Sequence, residues 1–172
     1  MPSNYERRCM SFEWSESLAH LINDEVMASY SSGEPSGQRD AIVNDNTFLN
    51  LANGCKTGIW LLHNYLEPAH EICQNEPTPE GSWWHAIVHR LEGDYWNSKY
   101  WYAKIGTHPV DSNIESRLKK LPESNLLSQL NRCWLPEEFV DLASSSEEQS
   151  AIRLVSLAEW TELFRYCWQN QI

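Results

Sequence analysis

Apolar side chains recur at the three- and four-residue spacing of α-helices along most of the chain, and no segment sustains strand-like alternation. The segment 147–169 is apolar around most of its circumference, which is typical of a helix buried among others. The chain has 172 residues, the size of one ordinary domain. We therefore predict an all-α fold, a single-domain helical bundle closed by a long C-terminal helix.

Glycine, proline and serine divide the predicted domain, 1–172, into three parts. These are an N-terminal helical segment over 1–30, a flexible loop over 31–40 and a helical core over 41–172. Within the core we predict helices at about 47–66, 68–74, 83–92, 95–105, 114–121, 124–133, 137–143 and 147–169. Gly54 and Gly58 lie inside the first of these, where they weaken the helix or let a neighbour approach closely.

The charge balance excludes several classes of partner. With 24 acidic and 13 basic residues, the net charge is −11. Such a surface repels phosphate backbones and anionic lipid, so we expect neither nucleic acid nor a membrane as partner. The nine tryptophans are most simply explained as large side chains that fill the core and the helix contacts.

The cysteines and the N-terminal residues predict a cytoplasmic protein. Residues 1–10 lack the apolar stretch of a signal peptide. The five cysteines are odd in number and scattered, and none forms a Cys-x-x-Cys pair. This pattern favours free thiols over a disulfide framework or a thiolate zinc site.

One polar stripe stands out on the predicted helix 83–92. At about 100° per residue, the apolar side chains fall on one side, whereas His85, His89 and Glu92 fall together on the other. The preceding helix offers His70, and Arg90 and Asp94 flank the stripe. The ligand-binding residues that we predict are His70, His85, His89, Arg90, Glu92, Asp94, Asn97 and Tyr100.

The same stripe has the composition of a metal site. Two imidazoles four residues apart, with His70 as a third, are able to bind a divalent transition metal as cofactor, and water supplies a fourth position. Glu92 is then a ligand or the catalytic base for the bound water, and Glu159 is a further candidate acid. The ordinary alternative is a structural network, because His–Glu pairs at this spacing commonly stabilise helices or join them.

Two local patterns resemble tetratricopeptide hairpins. The segment 93–109 carries a Gly-Asp-Tyr turn, a small residue, an aromatic residue and a closing proline, at Gly93, Ser98, Tyr102 and Pro109. A similar small residue, Ala69, lies in the preceding unit. We predict two tetratricopeptide-like helical hairpins rather than a repeat array.

Residues 45–168 also resemble a family of bacterial and fungal helical proteins whose activity is uncharacterised. The resemblance implies no reaction, cofactor or ligand. It rests on His70, Trp84-His85-Ala86, His89-Arg90, Glu92, Asp94, Asn97, Tyr100-Trp101, His108-Pro109, Phe139-Val140-Asp141-Leu142, Glu159-Trp160 and Leu163-Phe164.

The sequence leaves three functions open. The preferred hypothesis is a helical binding module whose His/Glu-lined groove takes a small polar ligand or a peptide segment of a partner protein. The second is a metal-dependent hydrolase with His70, His85 and His89 as ligands and Glu92 as base. The third is a structural or assembly subunit. The sequence specifies neither the reaction nor the oligomeric state.

Overall fold

The computed structural model describes residues 16–172, which form helices and no β-strand. A 3-10 turn at Glu16–Leu18 precedes eleven α-helices. They are α1 (Asp24–Ser29), α2 (Arg39–Val43), α3 (Asn46–Leu49), α4 (Asn53–Leu62), α5 (Leu66–Cys73), α6 (Pro79–Glu92), α7 (Tyr95–Tyr102), α8 (Val110–Leu118), α9 (Asn125–Gln129), α10 (Pro136–Ser145) and α11 (Gln149–Asn170). The predicted all-α bundle with a long C-terminal helix is confirmed. The predicted helical segment 1–30 lies partly outside the described residues.

The long helix predicted at 47–66 is instead parts of three helices. Helix α3 ends at Leu49, and α4 ends where Asn64 adopts a left-handed backbone with φ of 59°. Asparagine tolerates this conformation better than most residues, so it stops the helix as glycine often does. The chain then re-enters a helix at Leu66, which brings α5 back against α4.

Helix α6 begins at Pro79, four residues before the predicted start at Trp83. The hydroxyl of Thr78 accepts a hydrogen bond from the Gly81 amide at 2.9 Å, and proline suits a first turn because that turn needs no amide donor. Gly81 lies inside the helix, and this position requires glycine because a Cβ there would approach the Glu76 carbonyl oxygen to 2.4 Å.

Helix α6 is the centre of the bundle. It contacts α4, α5 and α7, and α11 packs against α4 and α8. The pairs α4–α5 and α6–α7 are consecutive helices in contact, as the hairpin prediction requires. Buried Ser98 of α7 donates a hydrogen bond to the Ala86 carbonyl at 2.8 Å, so a small residue does allow this close approach. In the described part of the chain, no helix is long and apolar enough to span a membrane.

We expect Gly58→Ala to lower the free energy of unfolding by about 1–3 kcal/mol, the usual cost of overpacking a core. An added Cβ would lie 2.6 Å from Cδ2 of Phe164, a fully buried ring, and 3.2 Å from Trp84. This clash outweighs the gain of about 1 kcal/mol in helix propensity. Urea unfolding measures the change, with Lys56→Ala on the same helix as control. Equal or higher stability of Gly58→Ala would refute the close-approach explanation.

Candidate metal centre

Three imidazoles from two helices meet beside α6. His70 comes from α5, and His85 and His89 lie one turn apart on α6. Their ring centroids are 4.7–5.0 Å apart, and one nitrogen of each lies within 4.8 Å of the others. Tetrahedral coordination at 2.0–2.1 Å places ligand nitrogens about 3.3 Å apart. Side-chain movements of about 1–1.5 Å would therefore bring all three onto one ion.

Hydrogen bonds satisfy this cluster incompletely. Nε2 of His85 and Nε2 of His70 are 2.8 Å apart, so one donates a proton and the other accepts it. Nδ1 of His85 is buried without a hydrogen-bond partner, whereas Nδ1 of His89 has only the longer ion-pair contacts with Glu92 at 3.4 Å and Asp94 at 3.8 Å. Buried polar atoms in native proteins are rarely left in this state, so the cluster differs from an ordinary structural network.

Burial keeps the two α6 imidazoles neutral. It lowers the pKa of His85 to about 4, and the neighbouring His89 and His70 rings lower it as well. The pKa of His89 is also lowered, mainly by burial and then by His70, although Glu92 and Asp94 partly oppose this. A neutral imidazole has the free lone pair that a metal ion requires.

The carboxylate of Glu92 lies on the Nδ1 side of the His70 and His89 rings rather than between the rings. Its Oε1 is 3.4 Å from Nδ1 of His70, and its Oε2 is 3.4 Å from Nδ1 of His89. Nε2 of His89 is thereby left for an ion, and Nε2 of His70 would become available when its hydrogen bond with Nε2 of His85 is broken. Carboxylates in this position orient metal-binding histidines and fix their tautomers. The geometry thus suits a supporting role for Glu92 better than the role of ligand or base predicted from the sequence.

The remaining predicted residues near the stripe border the cluster without joining it. Asp94 caps α7, and its Oδ2 lies 3.8 Å from Nδ1 of His89. Asn97 bonds to Asp94 through its amide at 2.8 Å. Tyr100 is 46% exposed and faces the ammonium group of Lys104.

Trp101 forms a wall of the cluster that the sequence analysis did not identify. Its ring stacks on His85 at 4.2 Å, and the ammonium nitrogen of Lys104 lies 4.0 Å from the Trp101 ring. Trp101 belongs to the Tyr100-Trp101 pair of the sequence resemblance, but nothing in the sequence assigned it to the histidine cluster.

Arg90 and Glu159 belong to a different, fully buried network. Arg90 donates to Oε2 of Glu159 at 2.6 Å, and Trp83 donates from Nε1 to Oε1 at 2.8 Å. The Tyr102 hydroxyl donates to the same Oε1 at 2.5 Å. Arg90 directly follows His89, and the turn of about 100° per residue carries it to another face of α6.

The groove expected along α6 is closed at the histidines. His85 and His89 are 5% and 8% exposed, because α5 packs over the face that was predicted to be open. His70 and Glu92, each about one-third exposed, form the solvent-facing edge of the cluster. Access to an ion or ligand would therefore be from this edge.

Comparison with known proteins yields no relative. No family model, no curated protein and no solved structure matches this chain. The resemblance noted from the sequence motif stays a prediction, and the functional argument depends on the geometry of the cluster.

Proposed function

We propose that the protein is a binding module for a divalent transition metal, held by His70, His85 and His89. The observation that supports this most directly is the convergence of three ligand nitrogens, contributed by two packed helices, within 4.8 Å. Two of the rings are held neutral by burial, and the carboxylate of Glu92 lies behind two of them. Together these supply both the ligands and the outer carboxylate of a histidine metal site.

The ligand set narrows the choice of ion. Three imidazoles without a thiolate suit Zn²⁺, Ni²⁺, Cu²⁺ or Fe²⁺ rather than Ca²⁺ or Mg²⁺, which prefer oxygen. Cys73 on α5 is buried and directs its thiol to the His70 carbonyl at 3.6 Å, which does not favour a ligand role. The fourth position would be taken by water or by the small polar ligand that the sequence predicted.

We favour binding over hydrolysis. A metal-dependent hydrolase needs a base beside the metal-bound water. Glu92 instead lies at the Nδ1 atoms of His70 and His89, on the far side of those rings from Nε2. Glu159 is fully buried with three donors around it, so it has no route to a bound water.

We also propose a cytoplasmic location. The described cysteines Cys55, Cys73, Cys133 and Cys167 are free thiols, which is usual in a reducing compartment. Burial raises the pKa of Cys55 and of Cys73 to about 12, so both are protonated and unreactive at neutral pH.

The test is metal titration of tag-free protein after chelator treatment. We expect one Co²⁺ or Zn²⁺ ion to bind per chain. Bound Co²⁺ should show the visible absorption spectrum that is characteristic of a low coordination number. The ion should also raise the melting temperature, because a ligand that binds only the folded state stabilises that state. At a free-ion concentration of 100 times Kd, the free energy of unfolding rises by about 2.7 kcal/mol. Substoichiometric binding of every metal tried would overturn the proposal and leave the structural explanation.

A further inference from the structure

The loop between α1 and α2 contains a serine that is hydrogen-bonded to a buried histidine. The Oγ atom of Ser36 lies 2.9 Å from Nδ1 of His63, the residue that directly follows α4. The Ser36 amide also donates to the His63 carbonyl oxygen at 3.1 Å, so two bonds hold the serine beside this residue. Ser36 is partly exposed, whereas His63 is fully buried. Ser36 is therefore the member of the pair that solvent reaches.

The second nitrogen of the His63 ring fixes the direction of this hydrogen bond. Nε2 of His63 lies 2.9 Å from the carbonyl oxygen of Leu21, which can only accept, so Nε2 carries the proton. Burial lowers the pKa of His63, and the bond to the Leu21 carbonyl opposes this only in part, so the ring is uncharged at neutral pH. Nδ1 then has a free lone pair, and the Ser36 hydroxyl donates to it.

These three groups have the arrangement of an activated serine nucleophile. In such sites an imidazole accepts the hydroxyl proton, and a third group bonded to the other ring nitrogen orients the imidazole. Here Nδ1 of His63 would be the base, and the Leu21 carbonyl occupies the place that a carboxylate usually has. A carbonyl is a dipole rather than a full charge, so it stabilises a protonated ring less than a carboxylate does. The geometry therefore favours a moderately activated serine.

The same loop contains a second serine in nearly the same local geometry. The Oγ atoms of Ser32 and Ser36 each accept a hydrogen bond from the amide two residues later, at 3.2 Å and 3.3 Å. Each serine also precedes a glycine with a left-handed backbone, Gly33 with φ of 82° and Gly37 with φ of 76°. Serine turns of this kind form locally, so the turn at Ser36 does not depend on the bond to His63. The two serines thus allow the effect of the imidazole to be measured within one molecule.

We propose that Ser36 is a nucleophile that hydrolyses uncharged carboxylic esters, with His63 as its general base. The Ser36 oxygen forms a bond to the ester carbonyl carbon while its proton passes to Nδ1 of His63. The ester C–O bond then breaks, and the alcohol leaves with that proton. Water attacks the acyl-serine, gives a proton to the same nitrogen and releases the acid, and the proton returns to the serine oxygen. Uncharged esters are favoured because the net charge of −11 repels anionic ones. This site shares no residue with the proposed metal centre and needs no metal.

Labelling with an alkyl fluorophosphonate tests the nucleophile. This reagent forms a phosphorus–oxygen bond to an activated serine and releases fluoride. The intact protein is treated with excess chelator, so that a metal-bound water cannot contribute, and peptide mass spectrometry measures the labelling rate at each serine. A positioned general base contributes about 10²–10⁴-fold, so we expect Ser36 to react at least tenfold faster than Ser32. Equal rates at the two serines would overturn the proposal, and this comparison within the unaltered chain does not depend on the folding of any variant.

Ester turnover tests the complete cycle. With chelator-treated protein and p-nitrophenyl acetate, we expect an acetyl group on Ser36 at early times and a steady release of acetate afterwards. Ser36→Ala should lower the hydrolysis rate at least tenfold, since it removes the attacking oxygen. Ser32→Ala is the matched control, because it removes a hydroxyl from the same kind of turn, and it should keep the wild-type rate. Equal rates for the two variants, with both still folded by circular dichroism, would refute hydrolysis at Ser36.

Discussion

Glu159→Ala should lower the free energy of unfolding by about 3–5 kcal/mol, the range seen when one partner of a buried ion pair is removed. Glu159 is fully buried and accepts hydrogen bonds from Arg90, Trp83 and Tyr102. Burial by itself would lower the pKa of Arg90, but Glu159 raises it above its usual value, so the arginine stays charged. Without the carboxylate, that charge has no counterion in the core.

The loss is large compared with the stability of an ordinary domain, about 5–15 kcal/mol. For a chain of this length, it corresponds to a fall in melting temperature of about 6–20 °C. Urea unfolding of Glu159→Ala beside Glu137→Ala, an exposed control on α10, measures it. The control should differ from wild type by less than about 0.5 kcal/mol. Equal stability of the two variants would contradict the buried-network explanation.

A double variant separates the charge effect from the loss of packing. Replacing both partners, as Arg90→Met with Glu159→Leu, removes the uncompensated charge and refills much of the volume. Buried pairs replaced in this way often lose little stability. We expect the double variant to be more stable than Glu159→Ala. If it is equally unstable, the unpaired Trp83 and Tyr102 donors or the altered packing account for the effect, rather than the uncompensated charge.

Periodicity predicted the fold class because it reports which side of each helix is buried, but it did not predict every helix end. Asn64 ends α4 through a left-handed backbone conformation, and a single asparagine between His63 and Tyr65 does not signal this by itself. Thr78 caps α6 ahead of Pro79, a start signal that the later Gly81 obscured. Both errors concern local backbone conformation that depends on contacts with neighbouring helices.

The candidate site was predictable only in part, for a related reason. The helical wheel correctly placed His85, His89 and Glu92 near one another, because those residues share one helix. It could not show that α5 covers this face, which depends on how α5 and α6 pack. Nor could it assign Arg90, whose partner Glu159 is 69 residues away along the chain.

His70→Gln should weaken metal binding by more than about 100-fold, because it removes one of the three proposed ligands. Substitution of a residue that only hydrogen-bonds to a metal ligand already lowers metal affinity by about 10–100-fold, and loss of a ligand itself should cost more. His70 is about 30% exposed, so the core should tolerate the change. The matched control is His20→Gln, which removes an exposed imidazole paired with Asp45 far from the cluster in sequence. Competition of Co²⁺-loaded protein with a chelator measures both. Wild-type affinity of His70→Gln would exclude His70 as a ligand.

Glu92→Gln distinguishes a supporting carboxylate from a ligand. Since Glu92 lies at Nδ1 of His70 and Nδ1 of His89, its charge should strengthen both rings as ligands without touching the ion. We therefore expect a 10–100-fold weaker affinity with the Co²⁺ spectrum unchanged in shape. A changed coordination spectrum would instead make Glu92 a ligand, and unchanged affinity would leave it without a role. The expected 10–100-fold loss with an unchanged spectrum is specific to this geometry. The amide oxygen of the introduced glutamine can accept a hydrogen bond from only one of the two rings, and the amide carries no charge.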